Sequence, residues 1–273
     1  MTRIVLFGDL HYPALPAGQT RLEQAKSEFF DHYLSEVFAA KADYHVSIGD
    51  LAHSGHPDEF RDVAALANRH NARFRLVLGN HDVIGIPKRD IQAIVQQPLY
   101  EHIQTADAHL VFLDTTIEHE LHGWGVDQRQ WEWLRDTCAS LDDRPLLVFG
   151  HHPVKHTTIG SPAEHELTSV LQDISGCMSQ YRGQGLYFNG HIHQKSIVQK
   201  GSWLYYQTSS VLYAPTYHVI EALDGQIAIR TVSVPLDSKQ REARDMLFHE
   251  LQDFHRVPGL EERVNEDITI RTK

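Results

Sequence analysis

The sequence predicts a layered α/β fold. Apolar, β-rich runs recur at Arg3–Phe7, Tyr44–Ile48, Phe74–Leu78, His109–Leu113, Leu146–Phe149 and Leu186–Phe188. Stretches of helical period separate them, and strands alternating with helices argue for an α/β arrangement. A third observation is the change beyond residue 193, where strands at Trp203–Thr208, Tyr217–Glu221 and Ile227–Val234 follow one another without long helices.

The helical stretches are justified by their apolar spacing. Residues 20–40 place Leu22, Ala25, Phe29, Tyr33, Val37 and Phe38 on one face, as a 3.6-residue period requires. Residues 57–70 and 127–141 behave alike. The latter opens with Asp127 and carries Gln130 three residues on, a capping-box pattern before Trp131, Leu134, Cys138 and Leu141. A last helix is expected over about 238–254, with Ala243, Met246, Leu247, Leu251 and Phe254 as its stripe, until Pro258-Gly259 breaks it. The tail Glu261–Lys273 reads as polar. Residues 1–234 are thus expected to form one domain and 235–273 a C-terminal helix and tail, packed on the domain's edge rather than forming a cap or dimer contact.

Composition narrows the partners. The 273 residues carry 41% hydrophobic and 22% charged side chains, ordinary values for a globular chain with a large core. A formal net charge of −11 argues against a nucleic-acid surface, which needs clustered Lys and Arg. Cys138 and Cys177 have no ligand-like neighbours and read as buried, reduced thiols. Ile4–Phe7 is too short for a signal peptide and no apolar run approaches a membrane span, so a cytoplasmic location is expected; oligomeric state is left open. Histidine, at 20 residues, is the anomaly.

Five places share one pattern, an apolar strand, then glycine, then metal-capable side chains: Gly8-Asp9-Leu10-His11, Gly49-Asp50-Leu51, Gly79-Asn80-His81-Asp82, Gly150-His151-His152-Pro153 and Gly190-His191-Ile192-His193. Ligand sites of open α/β sheets lie at the carboxyl ends of strands, so the five converge on one edge, and glycine is expected to let each turn bend sharply. Asp9 and His11 are two apart, as are His191 and His193, which projects each pair to one side of an extended segment. Asp9, His11, Asp50, Asn80, His151, His191 and His193 make a nitrogen–oxygen set suited to iron, manganese or zinc. That is too many ligands for one tetrahedral ion and fits two ions sharing a carboxylate.

In this order the motifs Asp-x-His, Gly-Asp, Gly-Asn-His-Asp, Gly-His-x-Pro and Gly-His-x-His resemble the calcineurin-like metallophosphoesterases over residues 8–193. The resemblance implies a four-layer sandwich of two mixed β-sheets flanked by helices. It implies a first metal held by Asp9, His11, Asp50 and His193, and a second by Asp50, Asn80, His151 and His191, with Asp50 bridging. It further implies hydrolysis by a metal-bound hydroxide without a covalent intermediate, His81 facing the leaving oxygen and Asp82 orienting its ring. Residues 49–60, Leu113-Asp114-Thr115, His122-Gly123 and the Gln130…Trp133-Leu134 helix are similar to class III cyclic nucleotide phosphodiesterases and bacterial glycerophosphodiesterases. Leu78 and Val154 depart from that subgroup, which often has proline at both places. A small phosphodiester is therefore the expected substrate; a phosphomonoesterase and a non-catalytic interaction scaffold are the alternatives.

Of the other histidines, His53 and His56 read equally as substrate mouth or surface loop, and His152 as facing substrate or packing. His122-Gly123-Trp124-Gly125 reads as a turn with a packed Trp. No serine-nucleophile elbow, phosphate-binding loop or His-Glu-x-x-His segment competes with this reading.

Overall fold

A computed structural model of the chain describes residues 1–161, 174–251 and 267–271. Within them, β1 (Thr2–Phe7), β2 (Tyr44–Ser47) and β3 (Phe74–Leu76) run parallel in one sheet, which continues from β1 through β10 (Thr216–Leu223), β11 (Gln226–Ser233) and β12 (Ile268–Arg271), all antiparallel. The second sheet has β5 (His109–Phe112), β6 (Leu146–Phe149), β7 (Gly185–Asn189) and β9 (Trp203–Gln207) in parallel, with antiparallel β4 (Glu101–Gln104) and β8 (Ser196–Lys200) at its edges. These are the two mixed sheets the sequence leads one to expect.

Strands covered on both faces read as continuous apolar runs rather than alternating ones, and β1 shows why. Ile4 and Leu6 point into the core between the sheets, whereas Val5 and Phe7 point to the helices on the other side. In β6 and β7, Leu147, Phe149, Leu186 and Phe188 share the inter-sheet core, and Leu146, Val148 and Tyr187 face the outer helices. The layers are therefore helix, sheet, sheet, helix.

The outer layer of the first sheet contains α1 (Thr20–Lys26), α2 (His32–Ala39), α3 (Pro57–Arg69), α4 (Lys88–Val95) and α7 (Ser238–Glu250). The expected helix over 20–40 is broken by a π turn at Ser27–Asp31. The wider turn brings the adjacent Phe29 and Phe30 both into the core. Pro57 opens α3 behind a capping box in which the His56 ring accepts from Asp58 N and Glu59 returns to the His56 backbone. In α7, Asp237 and Gln240 form the reciprocal box, and Ala243, Leu247 and Phe248 are buried toward α1. Phe254, Pro258 and Gly259 lie outside the described residues.

Covering the second sheet are α5 (Gln128–Ser140) and α6 (Ser175–Met178). Asp127 caps α5 by accepting from Gln130 N, but the Gln130 side chain does not return to the cap as expected. It donates to Asp114 O at 2.7 Å and accepts from Asp114 N at 2.9 Å, fixing the end of β5. The tail departs from its polar reading too: Ile268 and Ile270 alternate inward against the inter-sheet core while the strand extends β11. Among the described residues no helix is long and apolar enough to cross a membrane.

Candidate metal centre

The loops after β1, β2, β3, β6 and β7, each at the carboxyl end of its strand, meet in one place. Backbone hydrogen bonds tie them together: Asp9 N donates to Gly49 O at 3.1 Å, His11 N to Asp50 O at 2.9 Å and Gly190 N to His151 O at 3.0 Å.

The bend in these loops comes from a different source than expected. Among the five motif glycines only Gly49 has a left-handed φ, +103°; the left-handed positions are instead the ligand candidates themselves. Asp9, His11, Asp50, His191 and His193 have φ of 49°, 49°, 47°, 71° and 61°. Such backbone costs roughly 1–3 kcal/mol per residue and gathers at functional sites. The other glycines allow close approach. A Cβ on Gly79 would collide with the backbone N and the carboxylate of Asp50, whose Cγ would be 2.8 Å away.

Seven side chains converge as the sequence suggested. Asp9, His11, Asp50 and His193 bring one ligand atom each within 4.8 Å of one another. Asp9 Oδ1 is 3.6 Å from His193 Nε2, which is 3.1 Å from His11 Nε2. On the other side, Asn80 Oδ1 lies 3.2 Å from His151 Nε2 and 3.0 Å from His191 Nδ1. One atom belongs to both groups: Asp50 Oδ2 is 3.6 Å from His11 Nε2 and 3.3 Å from His151 Nε2. His151 Nδ1 donates to Ile48 O at 2.9 Å, which turns Nε2 toward the group.

Electrostatics favour a cation. Asp9, Asp50, His11 and His151 are all at most 1% exposed. Burial pushes the Asp9 carboxyl up to about 7, against the pull of His151. Burial would raise Asp50 as well, but His151 and its neighbours hold it well below the usual carboxylate range. Burial alone would lower His151; the facing Asp50 overrides it and lifts the ring to about 9. Burial drives His11 well below its ordinary value and His191 to about 3, so both rings are neutral and offer lone pairs at pH 7. Among the described residues Asp9 Oδ2 is buried with no hydrogen-bond partner, a costly state for a carboxylate oxygen. An orphaned oxygen, neutral imidazoles and converging carboxylates fit metal ions.

His81 lies at the mouth, half-buried, its ring centroid 4.7 Å from that of His11. Its Nδ1 donates to His53 O at 2.8 Å. Asp82, expected to orient the ring, is turned elsewhere: Oδ1 accepts from Ala52 N and Oδ2 from Gly79 N, both at 2.8 Å. Both oxygens thus face backbone N–H groups, and the contact that orients the His81 ring comes from a main-chain carbonyl. Asp82 instead joins the loops that carry Asp50 and Asn80.

The remaining histidines separate clearly. His56 is spent as the α3 cap, and His122 is exposed. His152 is packed: it is 1% exposed, shares a 2.7 Å hydrogen bond with the Thr115 hydroxyl and stacks on Trp124 at 5.0 Å and 8°. Both rings abut His191, at 4.6 and 4.9 Å. Sequence reasoning missed this wall, although the Trp124 loop and the second histidine of Gly150-His151-His152 were its two visible signs. It also missed Lys88, whose Nζ donates to Asp114 Oδ2 at 2.7 Å and Thr116 O at 2.8 Å and anchors the loop carrying Thr115.

Comparison with known proteins agrees with this geometry. A family model described as calcineurin-like phosphoesterase matches residues 2–195. The chain is 22% identical over 160 residues to a probable glycerophosphodiester phosphodiesterase of Arcobacter nitrofigilis, covering 57% of this chain and 58% of that protein. It is 26% identical over 205 residues to a probable cyclic nucleotide phosphodiesterase of Rhodococcus erythropolis, covering 70% and 62%. The chain thus spans about three fifths of the length of these curated relatives. In fold it is similar to a purple acid phosphatase from yellow lupin seeds, with a TM-score of 0.61 at 12% identity, covering 99% of this chain and 53% of that one.

Proposed function

Because this chain belongs to the calcineurin-like phosphoesterase family, we propose that it is a metal-dependent phosphodiesterase hydrolysing small diesters. The observation that carries the two-ion part of this reading is Asp50 Oδ2, one carboxylate oxygen within 3.6 Å of imidazole nitrogens from two separate ligand groups. Asp9, His11, Asp50 and His193 would hold one ion, and Asp50, Asn80, His151 and His191 the other, with iron, manganese or zinc suited to such donors. When bound, two such ions would supply positive charge for the phosphoryl group and lower the pKa of water. Names alone favour the diester: two relatives are described as phosphodiesterases of glycerophosphodiesters and cyclic nucleotides.

The chain's own residues supply the proton on the leaving side. With the His81 Nδ1–H committed to His53 O, Nε2 is the nitrogen left to face the departing oxygen; the imidazolium form hands it the Nε2 proton and returns to the neutral Nδ1–H tautomer. Asp82 acts on His81 only through the loops it holds. Cys138 and Cys177 are both buried; as thiols they suit a reducing compartment, and we infer a cytoplasmic location.

Reconstitution with manganese and assay on matched aryl diester and monoester substrates tests the reading, with faster diester turnover expected and a monoester preference overturning it. Asp50→Ala is expected to lose bound metal and turnover together. His81→Ala is expected to keep both ions and lose turnover by about 10²–10⁴-fold; full activity in that variant would remove its role.

A further inference from the structure

We propose that His53 is a specificity-determining residue that contacts the leaving group of the diester and selects leaving alcohols carrying a hydroxyl. The inference rests on the phosphodiesterase reading above. His53, His81 and His11 bring ring nitrogens within 4.8 Å of one another. The His53 and His81 rings stack at 5.7 Å and 24°, and His53 lies 5.8 Å from His11. Both His53 and His81 are partly exposed, whereas His11 is fully buried. A leaving oxygen facing His81 therefore carries its alcohol outward against the His53 ring.

The loop is built to hold the His53 backbone in one place. Ala52 N donates to Asp82 Oδ1 at 2.8 Å, His53 N to Tyr12 O at 3.1 Å and His56 N to Glu59 Oε2 at 2.8 Å. Glu59, fully buried, also accepts from Ser54 N and from the Ser54 hydroxyl, the latter at 2.9 Å. Gly55, at φ +69°, packs against Gly85 N so closely that a Cβ would fall 2.7 Å from it. An imidazole fixed at a leaving-group face discriminates by hydrogen bonding, because a substrate that lacks the partner hydroxyl leaves the site's polar group unpaired.

The test compares manganese-loaded wild-type protein with His53→Ala and His53→Asn on two alkyl aryl-free diesters of equal chain length, one with a hydroxyl beside the leaving oxygen and one without. Wild type should favour the hydroxylated diester by about tenfold or more in kcat/KM. His53→Ala should reduce that ratio to about one, mainly through KM, and His53→Asn, which keeps a hydrogen-bonding group, should restore part of it. Bound metal should remain at two ions per chain in both variants. An unchanged ratio in His53→Ala, no preference in wild type, or loss of metal in both variants would overturn the inference while leaving the phosphodiesterase reading intact. Absence of diester turnover in metal-loaded wild type would overturn both.

Discussion

Replacing Gly79 by alanine should damage the metal centre from behind. The added methyl would meet Asp50 at its backbone N, Oδ1 and Cγ, the last at 2.8 Å, against an optimal carbon separation of about 3.5 Å or more. Relief needs a shift of roughly 1 Å by the Gly79 turn or by Asp50. Neither moves freely. Gly79 N donates to Asp82 Oδ2 at 2.8 Å and Asp50 Oδ1 accepts from His81 N at 2.9 Å. Overpacking of this kind costs about 1–3 kcal/mol, which in a domain of this size lowers Tm by about 2–4 °C per kcal/mol. Because the displaced group is the carboxylate proposed to bridge two ions, the bound metal should fall as well. Gly176→Ala is the control: nothing lies within 4 Å of its Cβ, so Tm should hold or rise by the equivalent of at most about 1 kcal/mol. Thermal unfolding and elemental analysis of dialysed protein read both effects. Two tightly held ions and a wild-type Tm in Gly79→Ala would refute the reasoning.

Metal loading should release protons. In the metal-free protein His151 titrates at about 9 and Asp9 at about 7, so about two protons leave at pH 6 and about one at pH 8. Affinity should therefore climb with pH, more steeply below 7 than above it; titration calorimetry in buffers of different ionisation enthalpy measures this, and a pH-independent affinity would contradict it. The same Asp50–His151 pair stabilises the metal-free fold. With His151 raised above its ordinary 6.5, that stability is complete below 6.5 and is lost as pH rises through about 9, visible as a falling Tm of the chelated protein. Glu59→Ala removes the acceptor for Ala14 N, Ser54 N, the Ser54 hydroxyl and His56 N. Stranding these donors should cost about 3 kcal/mol; a variant as stable as wild type in urea would show that water replaces the carboxylate at no penalty.

Much of the centre was legible because its candidate ligands are local in sequence. Each follows an apolar run by two to five residues, and parallel strands send every such end to one edge. What stayed hidden depends on contacts between distant segments. The tautomer of His81 is set by the carbonyl of His53, 28 residues away, and the Asp82 carboxylate faces two backbone N–H groups that no motif encodes. Gln130 met the capping pattern yet found a better partner in the Asp114 backbone, 16 residues away. Short edge elements also escaped. In β12, Ile268 and Ile270 alternate with Thr269 and Arg271, a period-two signal too brief to stand out from a charged tail. In α4, Ile91, Ile94 and Val95 repeat at helical spacing behind Pro87, but over only eight residues. The π turn cannot be read from spacing at all, because it breaks the period on which such reading relies.

The left-handed backbone at five of the seven candidate ligands restricts which amino acids can serve there. Apart from glycine, that region is adopted most readily by Asn, Asp and His, and these positions hold two aspartates and three histidines. Glutamate, though an equal oxygen donor, is disfavoured by the main chain before any metal is considered. The donor alphabet of this centre is thus short-armed by conformation as well as by chemistry. An attempt to retune its metal preference by exchanging Asp for Glu would contend with the path of the chain itself.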